Sequence, residues 1–305
     1  VVEKVLRNMG AKEEDVQSAV SKYKAHFPEW RLDSFPGFLG NVMAGRCANV
    51  FNLDGMNCVV DAACASSLIA VKVAIDELLR GDCETMVAGA TCSDCSLAMY
   101  MAFSKTPVFS TKQCLSAYDK DSKGMLIGEG SVVFVLKKLS TAVRDGDAVH
   151  AVIKACASSS DGKAPGIYAP TIEGQEQCIR RAYQHSGVDP ATVTLVEGHG
   201  TGTPVGDAIE LTALKNVLGE HTDATEAIAV GSIKSNIGHL KAVAGCAGML
   251  KAVLALQSNF AGPDMLTATA GARLPSLSFL SLLSFLPFSI SLSLSLSLCV
   301  CVCVC

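Results

Sequence analysis

The chain has 305 residues, half of them hydrophobic, enough for one large α/β domain or two smaller ones around a sizeable core. Its net charge of −4 gives no reason to expect nucleic acid as a partner. Of its 14 cysteines, four crowd into residues 299–305; the others have no regular spacing and read as reduced cytosolic thiols, not as a disulfide framework.

Val1 to Gly10 reads as the end of a helix, and no signal peptide opens the chain, so a cytoplasmic protein is expected. A helix follows over 12–25. Cys58-Val59-Val60 reads as a buried strand, 58–61. Leu68, Val71, Ile75, Leu78 and Leu79 then recur at helical spacing over 65–80, where Gly81-Asp82 stops the helix. Strand-like runs lie at 85–89, 131–136 and 148–155. Cys92 and Cys95 have thioredoxin-like spacing, but no second CxxC or histidine pair accompanies them, so they read as core or loop thiols. A helix at 173–186, a strand at 193–197, a helix at 206–217, a strand at 228–232 and a helix at 239–257 complete the pattern. Such alternation argues for an α/β fold in which helices cover a mixed or parallel sheet.

Three strand-to-helix junctions each present a reactive side chain. Cys64 sits where the 58–61 run meets the next helix, beside unpaired N–H groups at the positive end of a helix dipole. That setting is expected to lower its pKa from about 8.5 toward roughly 3.5–7.5 and make it a nucleophile. A buried structural thiol is the plainer alternative. His199 lies in the glycine-crowded loop Gly198-His199-Gly200-Thr201-Gly202-Thr203, at the carboxyl end of a strand. Asp207 and Glu210 then place acids in the first turn of a helix. His239 closes Lys234-Ser235-Asn236-Ile237-Gly238-His239 in the same strand–loop–helix setting. Ala242, Ala244, Gly245, Ala247 and Gly248 behind it suit a helix packed tightly against a neighbouring backbone. The glycine series does not match a dinucleotide fingerprint, and no acidic residue stands at the ribose distance. A cysteine 135 residues from one histidine, with a second histidine 40 further on, fits a nucleophile and partners that meet only in the fold.

The run Asp61-Ala62-Ala63-Cys64-Ala65-Ser66-Ser67-Leu68, the His199 loop and Lys234 to His239 together resemble β-ketoacyl synthase domains. The similarity is greatest to ketosynthases of polyunsaturated-fatty-acid synthases, relatives of type I polyketide synthases. Trp30 to Asn41 and Gly124 to Gly130 support it, and it covers residues 1–257. The resemblance implies a thiolase-like fold, two similar halves in five α-β-α-β-α layers, usually as a homodimer. It implies that Cys64 takes an acyl chain from an acyl carrier protein as a thioester. His199 and His239 would assist decarboxylation of a malonyl thioester and stabilise the enolate, which attacks the bound acyl group. Lys234 would support the histidines, and Thr201 and Thr203 would bind the pantetheine arm. Neither a metal nor a bound cofactor is implied, since the carrier protein brings its own phosphopantetheine. A degradative thiolase would want a second cysteine in a Cys-x-Gly context, and a chalcone-synthase-like enzyme an asparagine in place of His239.

The ends depart from this pattern. The resemblance implies further elements ahead of residue 1, so the N-terminus reads as truncated. Residues 258–305 read as a low-complexity tail. Serine alternates with isoleucine or leucine over 289–298, and cysteine with valine over 299–305, as translation of repeated TC and TG dinucleotides would give. The tail is therefore expected to be non-native; a membrane segment is the functional alternative, weakened by a serine at every second position. A Gly-Phe-Gly-Gly loop that would complete the oxyanion hole is not found. The expectation is that this chain is a ketosynthase fragment, inactive or unstable as written, or a dimerising scaffold, from a parent gene that encodes the enzyme. Membrane and nucleic acid are not expected as partners.

Overall fold

A computed structural model describes residues 2–106, 108–164, 166, 168–220, 228–257 and 299–304. It divides into two compact units, residues 1–59 and 60–305. The first holds α1 (Val2–Asn8), α2 (Glu13–Lys24) and α3 (Val42–Phe51). Val16 and Val20 of α2 are its buried apolar residues, and Trp30 stacks on Phe38 with ring centroids 5.4 Å apart.

The second unit begins with a turn and α4 (Ser66–Arg80), then β1 (Thr85–Cys92), α5 (Leu97–Ser104), β2 (Gly130–Lys137), α6 (Leu139–Asp145) and β3 (Val152–Ser158). There follow α7 (Ile172–Ser186), β4 (Leu195–Glu197), α8 (Pro204–Leu218), β5 (Ala229–Gly231), α9 (Lys234–Ile237), α10 (Ala244–Gln257) and β6 (Cys299–Val304). β1 pairs antiparallel with β2 from Thr85↔Lys137 to Cys92↔Gly130, while β4 with β5 and β3 with β6 are parallel. The sheet content is therefore mixed, as the alternation of elements predicts.

The helical periodicity of α4 buries Val71, Ala74 and Leu78 along one stripe. Val71 and Ala74 meet Ala88 of β1 and Cys246 of α10, and Met86, Val132, Phe134, Leu136 and Ile153 pack around them. The strand period of two does the same for β2: Val132, Phe134 and Leu136 point inward, while Val133 and Val135 point out. Met249 of α10 is buried, with Phe134 of β2 and Ile153 and Cys156 of β3 packed against it. Thus α4 and α10 form a helical layer packed against β1, β2 and β3. Beyond β3, α7 and α8 pack through Ile179, Ala213 and Val217, and the Cys178 thiol of α7 reaches Ala157 O of β3 at 3.4 Å. Packing contacts run from strands to helices to strands to helices in that order among the described residues.

Two expectations change. Residues 58–61 form no strand; Cys58 and Val59 are exposed, and the following backbone is held by side chains instead. Asp61 Oδ1 accepts the Ala63 N–H and Ser66 Oγ accepts the Ala62 N–H, local bonds that compete with strand pairing. The small residues of α10 meet side chains of neighbouring elements more than bare backbone. A Cβ on Gly245 would lie 2.4 Å from Leu68 Cγ of α4, and one on Gly248 3.1 Å from Glu197 Cγ of β4. The serine–leucine run of 289–298 lies outside the described residues, whereas cysteine–valine residues 299–304 run parallel to β3. No helix among the described residues is long and apolar enough to cross a membrane.

Gly245→Ala is expected to force α4 and α10 apart and destabilise the chain by about 1–3 kcal/mol, the usual cost of overpacking. Urea denaturation midpoints of the two proteins would measure it.

Candidate active site

Cys64 occupies a single 3-10 turn, Ala63–Ala65, that leads into α4. Ala63 holds the left-handed conformation, φ 50°, which costs an L-residue about 1–2 kcal/mol. Asp61 and Ser66 over-determine it, since Ser66 Oγ also donates to Ala63 O at 2.7 Å. The elbow thereby presents Cys64 ahead of the helix.

His199 follows β4. The Glu210 carboxylate of α8 accepts the His199 N–H at 2.6 Å and the Gly200 N–H at 2.9 Å, and Asp207 Oδ1 accepts the Gly202 N–H at 3.1 Å. The acids of α8 therefore serve the loop directly, beyond any influence on the helix dipole. Lys234, buried at the start of α9, donates from Nζ to His199 O at 2.6 Å and lies 3.5 Å from His199 Nδ1. His239 is pinned by its N–H to Leu126 O and by the Gly128 N–H on its own carbonyl, at 2.7 and 3.0 Å. Its Nδ1 accepts the Lys241 N–H at 2.9 Å.

These bonds bring the sequence-predicted residues together. One donor atom from each of Cys64, His199 and His239 lies within 4.8 Å of the others. The two imidazoles meet edge-on, centroids 5.5 Å apart and planes at 88°. Lys234 joins them through His199. Thr201 and Thr203 bond to each other at 2.8 Å across the loop's outer turn, with Thr203 at the N-cap position of α8.

Both histidines are held neutral. Burial, then Lys234 and Lys241, push His239 down to about 3. Burial, then Lys234 and His239, hold His199 well below the usual imidazole range; its ring is crowded by protein yet keeps an exposed edge, where water tempers the effect of burial. A neutral ring whose Nδ1 accepts an N–H carries its proton on Nε2. His239 meets that condition, and Lys234 imposes it on His199, so both rings can donate Nε2–H. The same geometry fits a metal ion poorly, because each imidazole has one nitrogen facing a donor and the other protonated.

The Cys64 expectation is corrected. Burial of this half-buried thiol raises its pKa, and the charge of Lys234 and a backbone hydrogen bond offset only part of the rise. Removing water from a thiolate outweighs the nearby positive groups.

Sequence reasoning also missed a buried ion pair. Lys251 Nζ of α10 meets Glu197 Oε2 at 2.7 Å, with side chains 9 % and 13 % exposed, while Glu197 Oε1 accepts the Ile233 N–H at 2.6 Å. It ties β4 to α10 and to the residues between β5 and α9. The signal was available: a lysine in the middle of an otherwise apolar helix calls for a partner.

The family model for the β-ketoacyl synthase N-terminal domain matches residues 4–142, and that for the β-ketoacyl synthase C-terminal domain matches residues 150–266. The chain belongs to the β-ketoacyl synthase family. It thus belongs among condensing, acyl-transferring enzymes. This ketosynthase chain is 72 % identical over 263 residues to a polyunsaturated fatty acid synthase subunit of Thraustochytrium sp., covering 84 % of this chain and 9 % of that protein. It is 42 % identical over 220 residues to 6-methylsalicylic acid synthase of Aspergillus terreus, covering 72 % of this chain and 12 % of that one. It therefore spans about a tenth of the curated relatives' length. Among solved structures, the ketosynthase from module 6 of the Bacillus subtilis bacillaene synthase aligns with TM-score 0.69 and 36 % identity, over 72 % of this chain and 40 % of that chain. The fold is thiolase-like, as ketosynthase domains have.

Two outcomes are expected. The folded pKa of His239, about 3, lies below the unfolded value of 6.5. The unfolded chain therefore binds the extra proton first, and stability is lost as pH falls from 6.5 toward 3. Relative to His239→Gln, the ketosynthase should lose about 1.4 kcal/mol more per pH unit in that window, measured by urea unfolding at stepped pH. Lys251→Met should cost about 3–5 kcal/mol by leaving the Glu197 carboxylate buried without its partner, read from the same unfolding curves.

Proposed function

We propose that this ketosynthase catalyses decarboxylative Claisen condensation in the assembly of a polyunsaturated fatty acid or polyketide chain. The observation that carries the proposal is the grouping of the Cys64 sulfur with one ring nitrogen from each of two neutral imidazoles, all within 4.8 Å of one another. Cys64 takes the acyl group from an acyl carrier protein thioester, and its proton leaves with the carrier's phosphopantetheine thiol. A malonyl thioester on the carrier then loses CO2. The electron pair left behind becomes an enolate whose oxygen receives hydrogen bonds from His199 and His239. The enolate carbon attacks the acyl carbonyl, the carbon–sulfur bond to Cys64 breaks, and the sulfur regains a proton. The product is a β-ketoacyl thioester on the carrier.

Electrostatics favour this order of events. Burial and then Lys234 depress both histidines, with Lys241 adding to the effect on His239, so neutral rings face the site across the physiological range. Burial raises the Cys64 pKa and favours the protonated thiol at rest, while the charge of Lys234 offsets part of the rise and favours the thiolate. Thr201 and Thr203, whose hydroxyls bond to each other, would contact the pantetheine arm, a role that rests on the family resemblance. The resemblance to ketosynthases of large synthases supports a homodimer, working in the cytoplasm with a carrier protein and with no metal or cofactor of its own.

With a radiolabelled acyl–carrier thioester, wild type should take up label and Cys64→Ala none. His199→Ala and His239→Ala should still take up label but release CO2 from malonyl thioester about 10²–10³-fold more slowly, as for loss of an oxyanion donor. Equal labelling of Cys64→Ala, or unchanged CO2 release in both histidine variants, would sink the reading.

A further inference from the structure

Tyr118 belongs to no helix or strand, yet its placement is tightly specified. It holds the left-handed conformation at φ 62°, costly for a bulky residue, and its N–H donates to Asp207 Oδ2 at 2.7 Å. Next to it, the Ala117 N–H donates to Ser235 Oγ at 3.1 Å. The Tyr118 hydroxyl is the buried side-chain polar atom that, among the described residues, has no partner at hydrogen-bond geometry. An orphaned buried O–H in an otherwise satisfied site calls for an explanation. It stands beside the Glu210 carboxylate; burial together with Glu210, Asp207 and Glu197 keeps the phenol protonated, a donor facing an acceptor.

Gly198 supplies the second observation. It is not among the residues of positive φ, so its backbone does not require glycine. Space does. A Cβ at 198 would lie 1.9 Å from Tyr118 Oη, 3.1 Å from its Cζ and 3.0 Å from Glu210 Oε1. The phenol fills the volume that a methyl group on 198 would take, immediately before His199.

We propose that Tyr118 is a positioning residue for His199, acting through Glu210, and that Gly198 is the space it needs. Glu210 holds the His199 and Gly200 N–H groups, so whatever orients this carboxylate sets the height and aim of the His199 ring. The O–H closes onto Glu210 as the loop seats on substrate, in the way that hydrogen bonds slightly open in a free enzyme tighten in the complex. Tyr118 and Gly198 are then one device: removing the hydroxyl at 118 relieves the severest clash of a methyl at 198, leaving only the closer-than-usual contacts with Cζ and Glu210 Oε1. This assignment rests on His199 being an enolate donor, but the packing of the pair does not.

Two measurements on the full chain separate the claims. In a melting cycle of Gly198→Ala, Tyr118→Phe and the double variant, Gly198→Ala should lower Tm sharply in wild type and much less in the Tyr118→Phe background. Additive shifts would overturn the pairing. In the activity assay, Tyr118→Phe should slow CO2 release from malonyl thioester about tenfold through kcat, the scale of one hydrogen bond to a charged group, with the extent of Cys64 labelling unchanged. Unchanged CO2 release, or a parallel fall in labelling, would overturn the positioning role. A wild-type chain that neither labels nor decarboxylates would overturn the condensing-enzyme reading instead, and the melting cycle would still decide the Tyr118–Gly198 pairing.

Discussion

The close approach of α4 and α10 is the constraint from which the site follows. Ser67 Oγ, in the first turn of α4, accepts the Cys246 N–H of the first turn of α10 at 3.0 Å. That N–H has no partner within its own helix, so one helix caps the other. Gly245 removes the side chain that would strike Leu68. The two amino-terminal ends are thereby held side by side. One carries the Cys64 elbow just ahead of it, and the other follows His239 and Lys241.

Around that contact, polar groups are buried in balanced sets. The Glu197–Lys251 pair ties β4 to α10, and Glu210 and Asp207 saturate the N–H groups of the His199 loop. Lys234 reaches the same loop from α9. Each costs desolvation, and each is offset by hydrogen bonds that leave few freedoms to the backbone. The consequence for chemistry is a fixed orientation of two neutral rings. Burial keeps both rings neutral, and the Lys241 N–H on His239 Nδ1 and Lys234 beside His199 Nδ1 leave the ring protons on Nε2. Cys64 shows the opposite face of the same physics: the low-polarity setting that sharpens the histidines makes its thiolate harder to form.

Much of this was legible in the sequence. The helix α4 announces itself by apolar spacing and by the Gly81-Asp82 stop, because an amphipathic stripe must repeat at helical period wherever it packs; α2, α7, α8 and α10 were also read as helices. The strands β1 and β2 show as short apolar runs, 85–89 and 131–136. Residues 58–61 did not behave: a run of three apolar residues says nothing of whether a neighbouring strand exists to bind its N–H groups, and here Asp61 and Ser66 bind the backbone that follows. The helices α3, α5 and α6 carry weak or short patterns. The first-turn acids of α8 were visible as charges, but which N–H each would accept depends on how the loop folds back over the helix.

By itself the sequence determined the chemical cast: a cysteine ahead of a helix, two histidines in glycine-bearing loops, a lysine beside one of them, and a family resemblance carried by those motifs. These are local matters of residue type and spacing. The tertiary structure alone decided that the three reactive atoms lie within reach of one another, which nitrogen of His239 bears its proton, and that burial raises the Cys64 pKa where a helix terminus would lower it. Distances across 135 residues of chain, and the water excluded when those residues close together, are properties of packing that no spacing along a chain can encode.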